Sequence, residues 1–175
     1  MADLREKVVQ DRGIIAKIQA MIPGFNGYRA NEDLRAADNM LRLQLAGRLA
    51  AARAEVEAGR AALTESMDLQ NLDRLGGAIN QLKAAEGEVR SAGQGYSGIS
   101  AKLRVGEGEL NKLYDYDLSL LQGVASISGE ATKVKALAAA GSPDLKAGLA
   151  DLKSATDKFQ ADFEKRMKII TGTEV

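Results

Sequence analysis

The sequence contains no cysteine, no histidine and no tryptophan among its 175 residues. Without cysteine and histidine, the chain cannot form disulfides, thiolate nucleophiles, the usual zinc or haem sites, or catalytic triads that depend on an imidazole. Any catalysis would have to use carboxylates, lysine, tyrosine or serine alone. We therefore expect the protein to be no enzyme and to carry no cofactor.

The chain also lacks an excess of charge of either sign, because 24 Lys and Arg residues balance 24 Asp and Glu residues. A balanced chain produces no long-range field to attract a phosphate backbone, so we expect no nucleic-acid partner. Residues 1–7 are charged and lead into an amphipathic segment instead of the apolar core of a secretion signal. No apolar run approaches the roughly 20 residues that a membrane span needs. We expect a cytoplasmic protein.

Apolar residues recur at three- and four-residue steps along almost the whole chain, between residues that favour helices. This pattern predicts an all-α fold: an elongated antiparallel bundle of about five helices, two of them long and open to kinking at glycines, in one domain over residues 1–175. The predicted helices cover residues 3–22, 31–66, 69–92, 107–140 and 143–170, followed by a flexible tail at 171–175. The seam of the fifth helix is close to a coiled-coil repeat.

Three local features refine this prediction. The run Gly141-Ser142-Pro143-Asp144 ends one helix and begins the next, since glycine suits the position after a helix and proline the first turn. Gly76 and Gly77 lie inside the third helix, where we expect them to permit close backbone packing. Alanine-rich stretches at 46–54 and 136–140 predict close approach between helices inside the bundle.

Three carboxylates fall on otherwise apolar helix faces: Asp11, Asp38 and Asp117. A buried carboxylate needs a partner, and arginines are available nearby in the sequence, Arg42 among them. We therefore expect buried or rim ion pairs at these positions. The alternative is an all-carboxylate metal site, which would make the protein a carboxylate-dependent metal binder or hydrolase.

Three of the few aromatic residues stand in glycine-containing turns: Phe25, Tyr28 and Tyr96. An aromatic ring on a turn is a common anchor for a protein partner, so these residues are candidate partner contacts. The alternative is that the rings close the ends of the bundle core. Residues 93–98 also match the string G-x-G-x-x-G, but no strand precedes it, so we interpret it as a loop between helices and not as a phosphate site.

The fifth predicted helix combines apolar residues with Lys158, Lys165, Arg166 and Lys168, a composition that could lie on an anionic membrane surface. The leading hypothesis is instead a non-enzymatic scaffold or adaptor that binds another protein or itself, because long apolar seams accompany the missing catalytic residues. A peripheral membrane protein that uses an amphipathic helix is the alternative. The sequence does not identify a particular process.

Overall fold

A computed structural model of the chain describes residues 4–27, 31–93 and 107–171. These residues form five α-helices and no strand: α1 (Leu4–Met21), α2 (Asn31–Ser66), α3 (Leu69–Ser91), α4 (Glu107–Ala139) and α5 (Leu145–Thr171). The all-α bundle is confirmed, and each predicted boundary agrees with the observed one to within about two residues. The longest helix, α2, has 36 residues and therefore a length of about 54 Å.

Four of the helices form a closed ring in the order α2, α3, α5, α4, and α1 packs against α4 from outside the ring. Glu55 pairs with Lys135, and Asp38 and Asp117, which lie 17 and 18 residues earlier, share Arg166, so α2 and α4 run parallel. The α4 and α5 helices are antiparallel, since Ser119 contacts Asp162 while Lys133 contacts Asp151. None of the helices in the described ranges is both long and apolar enough to cross a bilayer.

The side chains that the helical periodicity placed on the inner faces form one shared hydrophobic core. Its fully covered members come from every helix and include Ile18, Leu45, Leu82, Val124 and Phe159. The parallel rings of Phe159 and Phe163, with centroids 6.3 Å apart, fill the space next to α4. Burial of these apolar side chains, each worth about 1.5–3 kcal/mol, is the main stabilisation of the bundle.

The α4–α5 turn has the structure that its sequence predicts for a helix end. Gly141 adopts φ +58°, and the N–H of Ser142 donates to the carbonyl of Leu137 at 3.0 Å, which is the bond of a Schellman motif. The Ser142 hydroxyl accepts from the N–H of Asp144 at 3.2 Å. Because this bond holds residues 143–144 in a turn, α5 begins at Leu145, two residues later than predicted.

The α2–α3 turn uses different residues for the same purpose. Met67 has φ +55°, the only left-handed residue other than glycine among those described, and its side chain is 83% exposed. The carboxylate of Asp68 then caps α3 by accepting from the N–H of Asn71 at 3.2 Å. The turn is short enough that α2 and α3 form an antiparallel hairpin.

The glycine prediction was wrong for α3 and missed the real close contact. A Cβ added at Gly76 or Gly77 would meet nothing within 4 Å, so neither glycine serves close packing. A Cβ at Gly59 would lie 3.1 Å from the Cα of Lys135, so α2 and α4 approach each other closely at Gly59. The difference arises because periodicity shows which residues face inwards but not where two axes cross.

The alanine prediction was correct for only some of the residues. Ala46, Ala52 and Ala138 are buried between helices, as close approach requires. Ala51 and Ala54, in the middle of the same stretch, are exposed. Alanine is found on both faces of α2 because it is an excellent helix former wherever it stands.

Candidate functional site

The two stripe carboxylates whose side chains are described both lie in the interior of the bundle. Asp38 on α2 is 3% exposed and Asp117 on α4 is fully buried, which confirms them as buried polar positions. The side chain of Asp11 lies outside the described part of the structure. Asp38 and Asp117 are held close together by the parallel packing of α2 and α4.

Arg166 on α5 connects these two carboxylates. Its Nε donates to Oδ1 of Asp117 at 2.5 Å, and its Nη1 donates to Oδ1 of Asp38 at 2.6 Å. The Arg166 side chain has no exposed surface. Because α2 and α5 lie diagonally across the ring, the guanidinium crosses the core to reach Asp38.

Arg42 completes the cluster from the adjacent turn of α2. Its Nε donates to Oδ2 of Asp38 at 2.8 Å, and its Nη1 donates to the carbonyl of Arg90 at 3.5 Å, near the end of α3. A Cβ at Gly93 would collide with the Arg42 guanidinium, so this glycine makes room for the arginine. The first glycine of the G-x-G-x-x-G string therefore has a packing role, and residues 94–98 lie outside the described residues.

We call Asp38, Arg42, Asp117 and Arg166 the buried charge cluster. Two carboxylates and two guanidiniums make it formally neutral, and within the described residues no buried side-chain nitrogen or oxygen lacks a hydrogen-bond partner. The described residues also contain no group of three His, Cys, Asp or Glu side chains that could hold a metal ion. The metal-site alternative thus loses Asp38 and Asp117, whose carboxylates are occupied by arginine.

Sequence reasoning identified Arg42 as an available partner but assigned Arg166 to a charged outer face. That assignment was wrong, and the sequence does contain a signal that corrects it. Arg166 stands three residues after Phe163 and four before Ile170, both buried, so it occupies an inner position of the α5 seam. The positive charges of its neighbours, Lys165 and Lys168, conceal this register.

The apolar side of α5 is therefore not free to lie on a membrane. Phe159, Phe163 and Ile170 are each at most 2% exposed, because they face the interior of the ring. The lysines proposed for an anionic surface instead pair with carboxylates one turn away, as Lys158 does with Asp162 and Lys168 with Glu164. The membrane alternative has no support from α5.

The aromatic candidates are placed differently from one another. Phe25 is 1% exposed and belongs to the core, where it has the position of a ring that closes the bundle. Gly27, at φ +80°, lies against Tyr114 of α4, and a Cβ there would be 2.7 Å from the tyrosine oxygen. Tyr28 and Tyr96 lie outside the described residues. Of these three candidates, Phe25 cannot contact a partner while it remains buried.

Ionisable groups with shifted pKa values belong to ion pairs near the surface. Partial burial opposes ionisation of Asp162, but hydrogen bonds from Lys158 and Ser119 and the charges of Lys158 and Lys165 outweigh it and lower the Asp162 pKa. Hydrogen bonds to Asp151 and Glu130 raise the pKa of Lys133. These pKa shifts arise from ion pairs between neighbouring helices and from ion pairs within one helix. Such pairs stabilise packing and do not form a reactive centre.

The outward side of α2 has a composition unlike the rest of the surface. Ten positions at three- and four-residue steps carry no charge, and eight of them are exposed while two are half-buried. We call this surface the α2 face, and its members are Ala36, Asn39, Met40, Leu43, Gly47, Ala50, Ala51, Ala54, Ala58 and Ala61. The exposed charged residues of α2 between Ala36 and Ala61, Glu57 and Arg60, lie beside this face.

Comparisons with known proteins do not assign the chain to a class. No protein-family model matches it, and neither the curated proteins nor the solved structures contain a significant match.

Proposed function

We propose that the chain is a non-enzymatic helical scaffold or adaptor that acts through protein–protein contacts on the α2 face. The observation that supports this proposal most strongly is the absence of charge over that face, between Ala36 and Ala61. The centres of protein interfaces are depleted of charged residues compared with ordinary surface, as this face is. Leu43, with 56% of its surface exposed, provides a large apolar side chain within it.

The dimensions of the α2 face suit a helix of a partner protein. Its ends are 25 residues apart, so it is about 38 Å long at the rise of an α-helix. Small side chains such as alanine and glycine allow two helix axes to approach at the short end of the usual 8–10 Å range. A partner helix with larger apolar residues would fill the shallow surface between the alanines.

The interior chemistry is consistent with a binding role. The buried charge cluster is neutral, and its hydrogen bonds are made within the protein, so the charged groups are occupied by one another. Such clusters fix which helices pair and in which register, at some expense in stability. The cluster thereby connects α2 to α4 and α5 on the side opposite the α2 face.

The test is affinity capture from the protein's own host with three tagged baits: the wild type, Ala54→Glu and Ala161→Glu. Both alanines are exposed on helices, but Ala54 lies on the α2 face and Ala161 on the charged outer side of α5. We expect a partner that co-purifies with the wild type and Ala161→Glu and is reduced at least about tenfold with Ala54→Glu, since a carboxylate would be desolvated at the contact.

Two outcomes would count against the proposal. One is a partner set that Ala54→Glu leaves unchanged, which would place the contacts on another surface. The other is a wild-type bait that captures nothing beyond the background of the untagged host. Circular dichroism of the three baits, with equal helix signals, removes misfolding as an explanation.

A further inference from the structure

The end of the α2–α3 hairpin exposes two large apolar side chains that are one residue apart in the sequence. Met67 is 83% exposed and Leu69 is 77% exposed, and Leu43 is the one other large apolar side chain classed as exposed among those described. We call residues 67–69 the α2–α3 tip. Two exposed apolar residues at one end of a helical bundle have no role in its core.

The backbone at Met67 makes this exposure more unusual. A left-handed φ is unfavourable for a residue with a Cβ, and the position after a helix normally holds glycine or asparagine. The parallel helix α4 ends near the same end of the bundle with Gly141 at φ +58°, which follows the normal rule. The chain thus tolerates backbone strain to hold a methionine that packs on nothing in the core, and such strain is typical of contact sites.

A complementary surface lies on the same hairpin, one to three turns from the tip. This surface, the α2–α3 groove, is lined by Ala61, Leu72 and Ile79, with Glu57, Arg60 and Thr64 along the α2 side. Leu72 and Ile79 are half-buried and extend the core outwards. The half-buried Leu72 and Ile79 offer the groove's apolar contacts for side chains such as Met67 and Leu69.

The tip and the groove carry charges of opposite sign. These two charges do not form an ion pair with each other within one chain. Asp68 accepts hydrogen bonds from the N–H and Nδ2 of Asn71, but no lysine or arginine of the described residues forms an ion pair with it. Arg60 likewise forms no ion pair with a carboxylate in the described ranges, since Glu57 beside it is taken by Arg53. A second hairpin turned end to end would bring Asp68 of one copy towards Arg60 of the other.

We propose that the α2–α3 tip of one chain docks into the α2–α3 groove of a second copy, in a reciprocal two-fold arrangement. The tip and the groove are separated along the hairpin by only about 10 Å, so two antiparallel hairpins that overlap by that distance form both contacts at once. The surface is small, because it comprises two apolar side chains and one ion pair from each copy. Such an interface belongs to the weak class, with dissociation constants of about 10 µM to 1 mM.

The test is sedimentation velocity of the purified full-length protein over about 5 µM to 1 mM, the range in which weak interfaces assemble. We expect a reversible monomer–dimer equilibrium for the wild type. Met67→Gly should weaken it at least about tenfold while the melting temperature stays equal or rises, because glycine relieves the left-handed strain. Loss of the dimer without loss of stability separates a contact role from a folding role.

Two further variants test the ion pair. Arg60→Glu should weaken the dimer at least about tenfold, since it would face Asp68 of the other copy. Asp68→Asn keeps a side chain that caps α3 and should restore part of the dimer when combined with Arg60→Glu.

The inference uses the α2–α3 tip and a groove that shares only Ala61 with the α2 face, so each proposal can fail alone. Ala54→Glu, which changes the α2 face, should leave the dimer unchanged, and Met67→Gly should leave capture of the host partner unchanged. A wild type that stays monomeric at the highest concentration overturns the inference. It is also overturned by a dimer that persists in Met67→Gly or is lost in Ala54→Glu, because the contact then lies elsewhere.

Discussion

At the scale of a single residue, Arg166 is the side chain that balances the buried charges of the bundle interior. It neutralises carboxylates on two other helices, Asp38 and Asp117, and none of its side-chain surface reaches solvent. Removing one member of a buried ion pair is far more harmful than replacing the whole group, because the remaining charge has lost its partner. The cluster thus makes three helices depend on one side chain.

We predict that Arg166→Met lowers the free energy of unfolding by about 3–5 kcal/mol, the usual effect of leaving a buried charge unpaired. Lys165→Met, on the adjacent exposed side chain, should change it by less than about 0.5 kcal/mol. Urea titration at neutral pH followed by circular dichroism measures both.

A rescue variant tests whether the charge, and not the shape, is responsible. Adding Asp117→Asn to Arg166→Met removes the carboxylate that Arg166 neutralises on α4, while Asp38 keeps its ion pair with Arg42, and should recover at least about 1.5 kcal/mol. No recovery in the double variant would show that Arg166 stabilises the protein by packing alone.

At the scale of the helix, packing depends on glycines, which have no side chain, as well as on residues whose side chains fill the contact. Gly59 lets α2 approach α4, whereas Gly77 on α3 has open space around it. The same substitution should therefore have opposite effects at the two positions. Both residues lie within helices, so backbone propensity acts equally on each.

Gly77→Ala should raise the free energy of unfolding by about 0.5–1 kcal/mol, because alanine restricts the unfolded chain and fits the helix. Gly59→Ala should lower it by about 1 kcal/mol, since the new methyl group presses on the backbone of Lys135. Thermal and urea unfolding of the pair measure the two signs. Stabilisation by both substitutions would contradict the close contact between α2 and α4.

The stabilisation that the contact between α4 and α5 provides also depends on pH. Asp162, with 15% of its side chain exposed, has a lowered pKa in the folded protein because Lys158 and Ser119 bind its charged form. The contribution of ionised Asp162 to the free energy of unfolding is therefore complete above the pKa of a free aspartate, near 3.9. It disappears as the pH falls through the lower pKa that Asp162 has in the folded protein.

Asp162→Asn should lower the free energy of unfolding by about 0.5–1 kcal/mol at pH 7, the range of partly exposed pairs. The difference from the wild type should shrink as the pH is lowered below about 4. Urea titrations of both proteins between pH 7 and pH 2.5 measure it. A difference that stays constant over this range would assign the effect of the substitution to lost packing and not to ionisation.

At the scale of the whole molecule, the sequence predicted helices well and surfaces poorly. Periodic apolar residues, the turn at Gly141 and the break after Met21 define five helices because these signals are local. The cluster around Arg166 and the crossing at Gly59 depend on which helices meet, and that information is spread over residues 49 to 128 positions apart. The seam position of Arg166 was nevertheless readable from its spacing to Phe163.

The α2 face was also hidden in the sequence for a physical reason. Its alanines have the same helix-forming signal as those inside the bundle, so composition alone does not separate Ala52, which is buried, from Ala54, which is exposed. Only the packing of α2 against α3 and α4 shows which side remains outside. The balanced charge of the chain thus conceals an uncharged strip of about seven turns along the outer side of α2.

The central claim, that the α2 face contacts another protein, is tested most directly by photo-crosslinking in the protein's own host. A benzophenone amino acid is introduced at Ala54 in one strain and at Ala161, which is also exposed and lies on α5, in the other. We predict a discrete protein adduct from position 54 and none above background from position 161. Identical adducts from both positions, or none from position 54, would contradict the claim.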